Sequence, residues 1–191
     1  MNNPANQPEF VVLVNEQDEE IGIMPKSLVH TAHTPLHRAF SLFLFNTAGQ
    51  VLVQQRNTQK LTWPGVWSNS CCGHPQPKEK YRDAIKRRVR FELGMAMTHL
   101  YSISPYRYTF AHNGIQENEV CPLFVGITDD QPQPNAAEVA AFRWMPWEEF
   151  LHDLREHPDQ YSPWSIEETQ ILAKNAKFKR FLKKFILVGA S

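Results

Sequence analysis

The 191-residue sequence lacks any apolar run approaching membrane-spanning length, and Met1 to Phe10 lacks the basic and then apolar pattern of a secretory signal. A cytoplasmic protein is the expectation. Neither charge is in excess, since Lys plus Arg and Asp plus Glu each number 20. With no global field to hold nucleic acid or an anionic membrane, an anionic ligand must be bound by local charge and is expected to be small. Cysteine is scarce: there are three, and Cys71 and Cys72 are neighbours, poorly placed for an ordinary disulfide. Free thiols in a reducing compartment are the simpler reading.

What is present is a hydrophobic content of 42%, enough for one substantial core in one compact domain. Phe10 to Val14, Ile21 to Ile23, Arg38 to Phe45, Val51 to Gln55, Tyr106 to Phe110, Val120 to Ile127 and Ala141 to Met145 predict strands. Asn15-Glu16-Gln17-Asp18 and Asn46-Thr47-Ala48-Gly49 supply hairpin turns. Pro25 opens a short helix ending near His30, and Trp63 to Trp67 reads as an aromatic loop. Lys80 to Leu93 predicts the principal helix, with Ala84, Ile85, Val89 and Leu93 on one face and Gly94 to end it. Further helices are expected from Glu148 to His157 and from Ile166 onward. This order argues for an α+β sandwich rather than a doubly wound sheet.

Glu117 and Glu119 stand two apart at the entry to VCPLFVG, and a strand's period of two puts both carboxylates on one face. Two like charges there are either solvated or share a cation. His30, His37 and His74 come from three other segments; with hard carboxylates, imidazoles suit magnesium or a divalent first-row ion. His33 reads as a bystander. Cys72, between an aromatic loop and a helix start, is either an activated thiol or a small buried hydrophobe. Arg88 and Glu92, four apart on a helix, would as an exposed pair contribute about 0.3–0.5 kcal/mol. Alternatively, Arg88, Lys26, Arg56 and Lys60 gather with a metal held by Glu92 around one small diphosphate.

From Gly73 to Gly94 the spacing G-x5-E-x7-R-R-V-R-F-E-L-G resembles the Nudix box, G-x5-E-x7-R-E-U-x-E-E-x-G-U. Arg88 and Phe91 replace two of its glutamates, so the metal-loading cluster of the hydrolases is incomplete. The motifs LHRAFSLFLFN, WPGVWSNSCCGHP, YRY, ENEVCP and SPW, in that order, resemble one branch of the superfamily, the type I isopentenyl diphosphate isomerases.

That resemblance implies a Nudix-type α/β/α sandwich with mixed sheets over residues 10–170; outside it, a flexible segment is expected at 1–9 and an amphipathic helix at 171–191, packing on or extending the domain. It implies interconversion of isopentenyl and dimethylallyl diphosphate by protonation and deprotonation through a carbocation. A divalent ion (Mn2+, Mg2+ or Zn2+) is expected at His30, His37, His74, Glu117 and Glu119. A Mg2+ ion bound with the substrate is expected at Glu92 and the Cys72 carbonyl. Cys72 and Glu119 match the catalytic pair, and Tyr108 and Trp164 match residues that assist protonation and line the carbocation pocket, where Trp67 is expected as well. Lys26, Arg56, Lys60 and Arg88 match residues that take the diphosphate charge. A Nudix hydrolase of a nucleotide diphosphate and a non-catalytic metal-stabilised domain are the competing readings. Partners are expected to be the small diphosphate alone, with no obligatory membrane contact, in a monomer or weak homodimer. The stripe Phe178, Phe181, Leu182, Phe185 and Ile186 fits core packing, a dimer contact or a membrane surface.

Overall fold

The computed structural model describes residues 9–186. Residues 1–8, nearly all of the segment expected to be flexible, and 187–191, which end the FKRFLKKFILV stretch, lie outside the described residues. In chain order the elements are β1 (Phe10–Val14), β2 (Glu20–Pro25), α1 (Lys26–Val29), β3 (His37–Arg38), β4 (Phe40–Phe45), β5 (Gln50–Arg56), β6 (Trp67–Ser68) and β7 (Cys71–Gly73). There follow α2 (Tyr81–Leu93), β8 (His99–Ser104), β9 (Arg107–His112), β10 (Ile115–Val120), β11 (Leu123–Ile127), β12 (Val139–Pro146), α3 (Trp147–Glu156), α4 (Pro163–Lys174) and α5 (Ala176–Phe185).

Strand β4 organises the molecule. Its six residues FSLFLF are all buried, as are those of its parallel neighbour β11, because helices cover both faces of this sheet. Alternation sends Phe43 and Phe45 into one apolar cluster with Trp147, Phe150, Phe178 and Phe181 from α3 and α5. Phe40, Leu42 and Leu44 enter the opposite cluster with Ala84, Ile85, Val89 and Leu93 of α2. Truncating one of these phenylalanines to alanine costs about 3–5 kcal/mol. The result is an α/β/α sandwich with sheet order β12-β5-β4-β11-β8, to which β6 and β7 attach on β5 and β4.

A second sheet, β2-β1-β3-β10-β9, meets the first where the chain passes between them from β3 to β4, from β8 to β9 and from β10 to β11. The runs expected as single strands, Arg38 to Phe45 and Val120 to Ile127, are each broken, at Ala39 and at Cys121-Pro122. Pro122 has no N–H to give a ladder, and its carbonyl instead accepts from Ser41 N at 3.2 Å. The parallel pairs β3/β10 and β4/β11 therefore lie on either side of the break, one in each sheet. Strands β7 and β8 have no counterpart in the sequence reading: β7 is three residues long, and β8 is an edge strand without alternation whose pairing to β11 is purely tertiary.

Helix α2 ends at Gly94, which has φ of 66° and donates its N–H to Arg90 O. A Cβ there would lie 2.9 Å from the Gln133 backbone oxygen, so the position needs glycine twice over. Arg88 and Glu92 flank the apolar stripe of α2, 4% exposed each, so the exposed ion pair of the first reading is a buried one. The loop after β11 covers it. Helix α4 continues across residue 170, and α5 lays Phe178 and Phe181 into the core, with Leu182, Phe185 and Ile186 packed beside them. Among the described residues no helix is long and apolar enough to cross a membrane.

Candidate active site

At the junction of the two sheets lies a cavity of about 460 Å³. Backbone register builds its first wall: His37 of β3 stands opposite Glu119 of β10, which stands opposite Tyr108 of β9. One row across three strands thus carries an imidazole, a carboxylate and a phenol. His74 arrives just after β7 and His30 just after α1, and the three imidazole centroids lie 5.1–5.7 Å apart.

Their donor atoms converge. His37 Nε2 is 3.2 Å from His74 Nε2 and 3.4 Å from Glu119 Oε1, and His74 Nε2 is 2.9 Å from the same oxygen. His37 Nδ1–H donates to Pro35 O at 2.9 Å, which leaves Nε2 a lone pair pointing inward. His30 Nε2 lies 2.9 Å from Glu117 Oε2, yet the contact has no hydrogen-bond geometry, and neither atom has another partner. His74 Nδ1 is likewise buried without a partner. Ligands at about 2.0–2.2 Å from one ion are separated by roughly 2.8–3.6 Å, the spacing seen here, and a cation would give His30 Nε2 and Glu117 Oε2 their missing partner. The set fits a divalent ion. His30, His37, His74 and Glu119 bring their ligand atoms within 4.8 Å of one another; Glu117 adjoins them through His30.

Electrostatics point the same way. Burial depresses the pKa of His74 to about 3, leaving a neutral imidazole. Burial alone would raise that of Glu119, but the hydrogen-bonded His37 and His74 hold it well below the carboxylate range. Tyr108 Oη donates to Glu119 Oε2 at 2.5 Å, and burial, then Glu119, pushes the phenol's pKa well up. His37 is shifted the other way: burial would lower its pKa, but the hydrogen bond and charge of Glu119 raise it, so a divalent ion would have to displace a proton there to complete its donor set.

The opposite wall is neutral. Cys72 of β7 pairs in register with Ser41 of β4, and its Sγ lies 3.2 Å from Asn69 Oδ1 and 3.6 Å from Ser41 Oγ. Burial, followed by the nearby Glu168, pushes the Cys72 pKa up, against its hydrogen-bond contacts with Ser41 and Asn69. The activation expected from a helix start does not operate, because α2 begins nine residues later at Tyr81. Cys72 is a neutral thiol. Trp164 of α4 is stacked on Tyr108 at 6.0 Å, meets Trp63 edge-on at 5.2 Å, and donates its indole N–H to Ser68 Oγ at 3.1 Å.

Trp67, expected at this pocket, is not there: its ring lies under the Arg143 guanidinium at 4.4 Å, packed on the main core. Its neighbour Ser68 faces the site instead, as strand alternation requires. Trp63 does not line the cavity either but backs its wall, packed against Trp164 and stacked on His112. Its backbone sits in the left-handed region at φ of 43°, and its carbonyl is held by Arg56 Nε at 3.1 Å.

At the mouth, Lys26, Arg56, Lys60 and Arg88 all line the cavity. Lys26 Nζ is 2.6 Å from Glu9 Oε2, Lys60 pairs with Glu138, and Arg88 Nη1 reaches Glu9 Oε1 at 3.0 Å. Burial would raise the Glu9 pKa, but Lys26 and Arg88 bring it down to about 2. Glu92, expected to hold magnesium, does not line the cavity; its Oε1 accepts from Arg88 Nε and Nη2 at 2.9 and 2.7 Å. As arranged, it does not fit a metal site. Glu79 is similarly engaged by Arg87 at 2.8 and 2.7 Å, and Phe91 is 42% exposed.

Ser41, Asn69 and Glu168, and at the mouth Glu9 and Glu138, are given no role in the sequence reading. The available signal is a carboxylate on a buried stripe: Trp164, Glu168 and Leu172 recur at a spacing of four on α4, and all are buried.

Residues 35–165 match the NUDIX domain family. A protein of known crystal structure from Deinococcus radiodurans superposes with a TM-score of 0.67 at 21% identity, over 85% of this chain and 98% of the other. The MutT protein from Methanosarcina mazei gives 0.58 at 18%, over 78% and 95%. Fold and domain match together define a Nudix-domain protein. Within that class, proteins named isopentenyl-diphosphate Delta-isomerase are similar over most of their length: 49% identical in Kocuria rhizophila, over 82% of this chain and 88% of the relative. The protein of that name from Saccharopolyspora erythraea is 44% identical over 87% of each chain. The chain belongs to the isopentenyl-diphosphate Delta-isomerase family.

Proposed function

We propose that the protein is an isopentenyl-diphosphate Delta-isomerase that interconverts isopentenyl and dimethylallyl diphosphate. One observation carries the reading: a single cavity sets a neutral buried thiol and an ionised carboxylate among aromatic rings, with a cationic mouth suited to an anion. An alkene is a very weak base, so the difficult step is placing a proton on carbon while water is kept out. The π pair of the terminal methylene takes a proton to form the methyl group and a tertiary cation; the pair of an adjacent C–H bond then closes the new double bond as its proton leaves. No redox partner is needed. Cys72 and Glu119 are the two proton-transfer groups, on opposite faces of the allylic unit.

Trp164 and Tyr108 present ring faces to the cation, and an indole face stabilises a desolvated cation by about 2 kcal/mol. Tyr108 also fixes Glu119 through its hydrogen bond. The histidines, Glu119 and Glu117 would hold a divalent ion, which would supply positive charge beside that carboxylate; Mn2+, Mg2+ and Zn2+ all suit these donors. Lys26, Arg56, Lys60 and Arg88 take the diphosphate, whose oxygens displace the carboxylates of Glu9 and Glu138. Glu92 and the Cys72 carbonyl would hold the substrate's Mg2+ only if Arg88 exchanged Glu92 for phosphate. The setting is the cytoplasm, as a monomer or weak homodimer.

The test is turnover of isopentenyl diphosphate in deuterated water, with label expected in the product's methyl group. Cleavage of nucleotide diphosphates without isomerisation would overturn the reading.

A further inference from the structure

Glu168 is fully buried, does not line the cavity, and is unused by the chemistry above. Its Oε2 lies 2.7 Å from Ser41 Oγ, while its Oε1 is buried with no partner. Burial, and then the neighbouring Glu119 and Glu167 carboxylates, push its pKa well above the usual range, against the hydrogen bond from Ser41. A carboxylate with one oxygen unsolvated would be costly here, so the group is a carboxylic acid.

That state decides where the Ser41 proton points. A hydroxyl has one proton and two acceptor positions. Asn69 Nδ2–H donates to Ser41 Oγ at 2.7 Å, filling one of them. An ionised Glu168 would take the Ser41 proton for itself; an acid donates its own proton to Ser41 Oγ and fills the second acceptor position. The Ser41 O–H is then left to the sulfur of Cys72, 3.6 Å away. Asn69 Oδ1, at 3.2 Å from Sγ, receives the thiol proton in the resting state.

We propose that Glu168 is a positioning residue for the isomerisation: as a carboxylic acid it donates to Ser41, which turns the Ser41 hydroxyl toward Cys72 and supports the sulfur when its proton is away. This rests on the isomerase reading. It acts on the proton-transfer step and not on substrate binding, because Glu168 and Ser41 lie behind the thiol while the diphosphate is held at the mouth.

The experiment compares steady-state kinetics of Glu168→Gln, Glu168→Leu, Ser41→Ala and the Ser41→Ala/Glu168→Leu double variant, each checked for a cooperative thermal unfolding transition. Glutamine keeps a neutral donor of the same shape, so its kcat should stay within about twofold of the unmodified protein. Leucine removes that donor and should lower kcat by about tenfold, roughly the effect of one hydrogen bond, with KM unchanged. Ser41→Ala should lose at least as much, and the double variant no more than Ser41→Ala alone, since both act through one hydroxyl. Should Glu168→Leu not fold, Glu168→Gln and Ser41→Ala decide. A Glu168→Gln variant that loses tenfold or more, wild-type kcat in Ser41→Ala or in folded Glu168→Leu, or an effect confined to KM would each overturn the inference alone. No isomerisation by the unmodified protein overturns the parent reading with it.

Discussion

The two walls of the cavity are built on opposite principles. Along one wall, His37, Glu117 and Glu119 of the five-stranded sheet, with His30 after α1 and His74 after β7, crowd their donor atoms together and leave His30 Nε2 and Glu117 Oε2 without hydrogen-bond partners. Along the other, Cys72, Ser41 and Ser68 of the seven-stranded sheet, with Asn69 between β6 and β7 and Trp164 of α4, form a network in which each polar group has a partner. A wall of unsatisfied, partly anionic donors is stable only around a cation. A satisfied neutral wall needs nothing added, and it keeps a thiol protonated that would be wasted as a thiolate. The difference places charge where a metal balances it and a movable proton where no charge competes for it.

The largest effect should come from breaking the neutral wall at its reactive atom. Cys72→Ala should reduce kcat by about a hundred- to ten-thousandfold, the range for loss of a proton-transfer group. Cys71→Ala, one residue along and packed in the α2 cluster, should keep most of the activity. Equal losses at both positions would show that packing, not chemistry, is being measured.

Breaking the other wall means removing its cation. Chelation should abolish turnover, and adding Mn2+ or Zn2+ at about a hundred times its dissociation constant should stabilise the fold by about 2.7 kcal/mol. A thermal-shift titration measures this, and His37→Ala should remove most of the shift. Identical melting with and without metal would mean that the convergence of donors has another cause.

Between the walls and the mouth, Arg88→Ala leaves Glu92 buried without its partner and should destabilise the fold by about 3–5 kcal/mol. The KM for the diphosphate should also rise. An exposed pair would cost less than about 1 kcal/mol in a urea denaturation curve, so the two descriptions are separable.

The smallest effect concerns Glu9, whose carboxylate holds the place expected for phosphate oxygens. Glu9→Gln should lower KM a few-fold by removing a competing anion. Its pKa falls from 4.5 to about 2 on folding, so its stabilising contribution is present above pH 4.5 and is lost as pH falls through 2. Exposure to solvent keeps that contribution small. Urea curves at pH 5 and pH 3 should show a slightly smaller loss in Glu9→Gln than in the unmodified protein; an equal loss would mean that the Glu9 ion pairs do not hold in solution.

What the sequence determined by itself is whatever depends on local spacing. The period of two that puts Glu117 and Glu119 on one face, the α2 stripe with Gly94 as its cap, and the order of motifs from LHRAF to SPW are properties of neighbours along the chain. Only the tertiary structure decided what lies across from what. The row His37, Glu119 and Tyr108 depends on the register of three strands, Trp67 turns away because strand β6 alternates, and Glu92 is closed off because a distant loop covers α2. Glu168 shows the limit most sharply. On its helix it is one more acidic residue, and it becomes part of the thiol's surroundings only because Ser41 reaches it from the central strand of another layer. Burial and donor counting are pairwise facts between segments, and no local pattern encodes them.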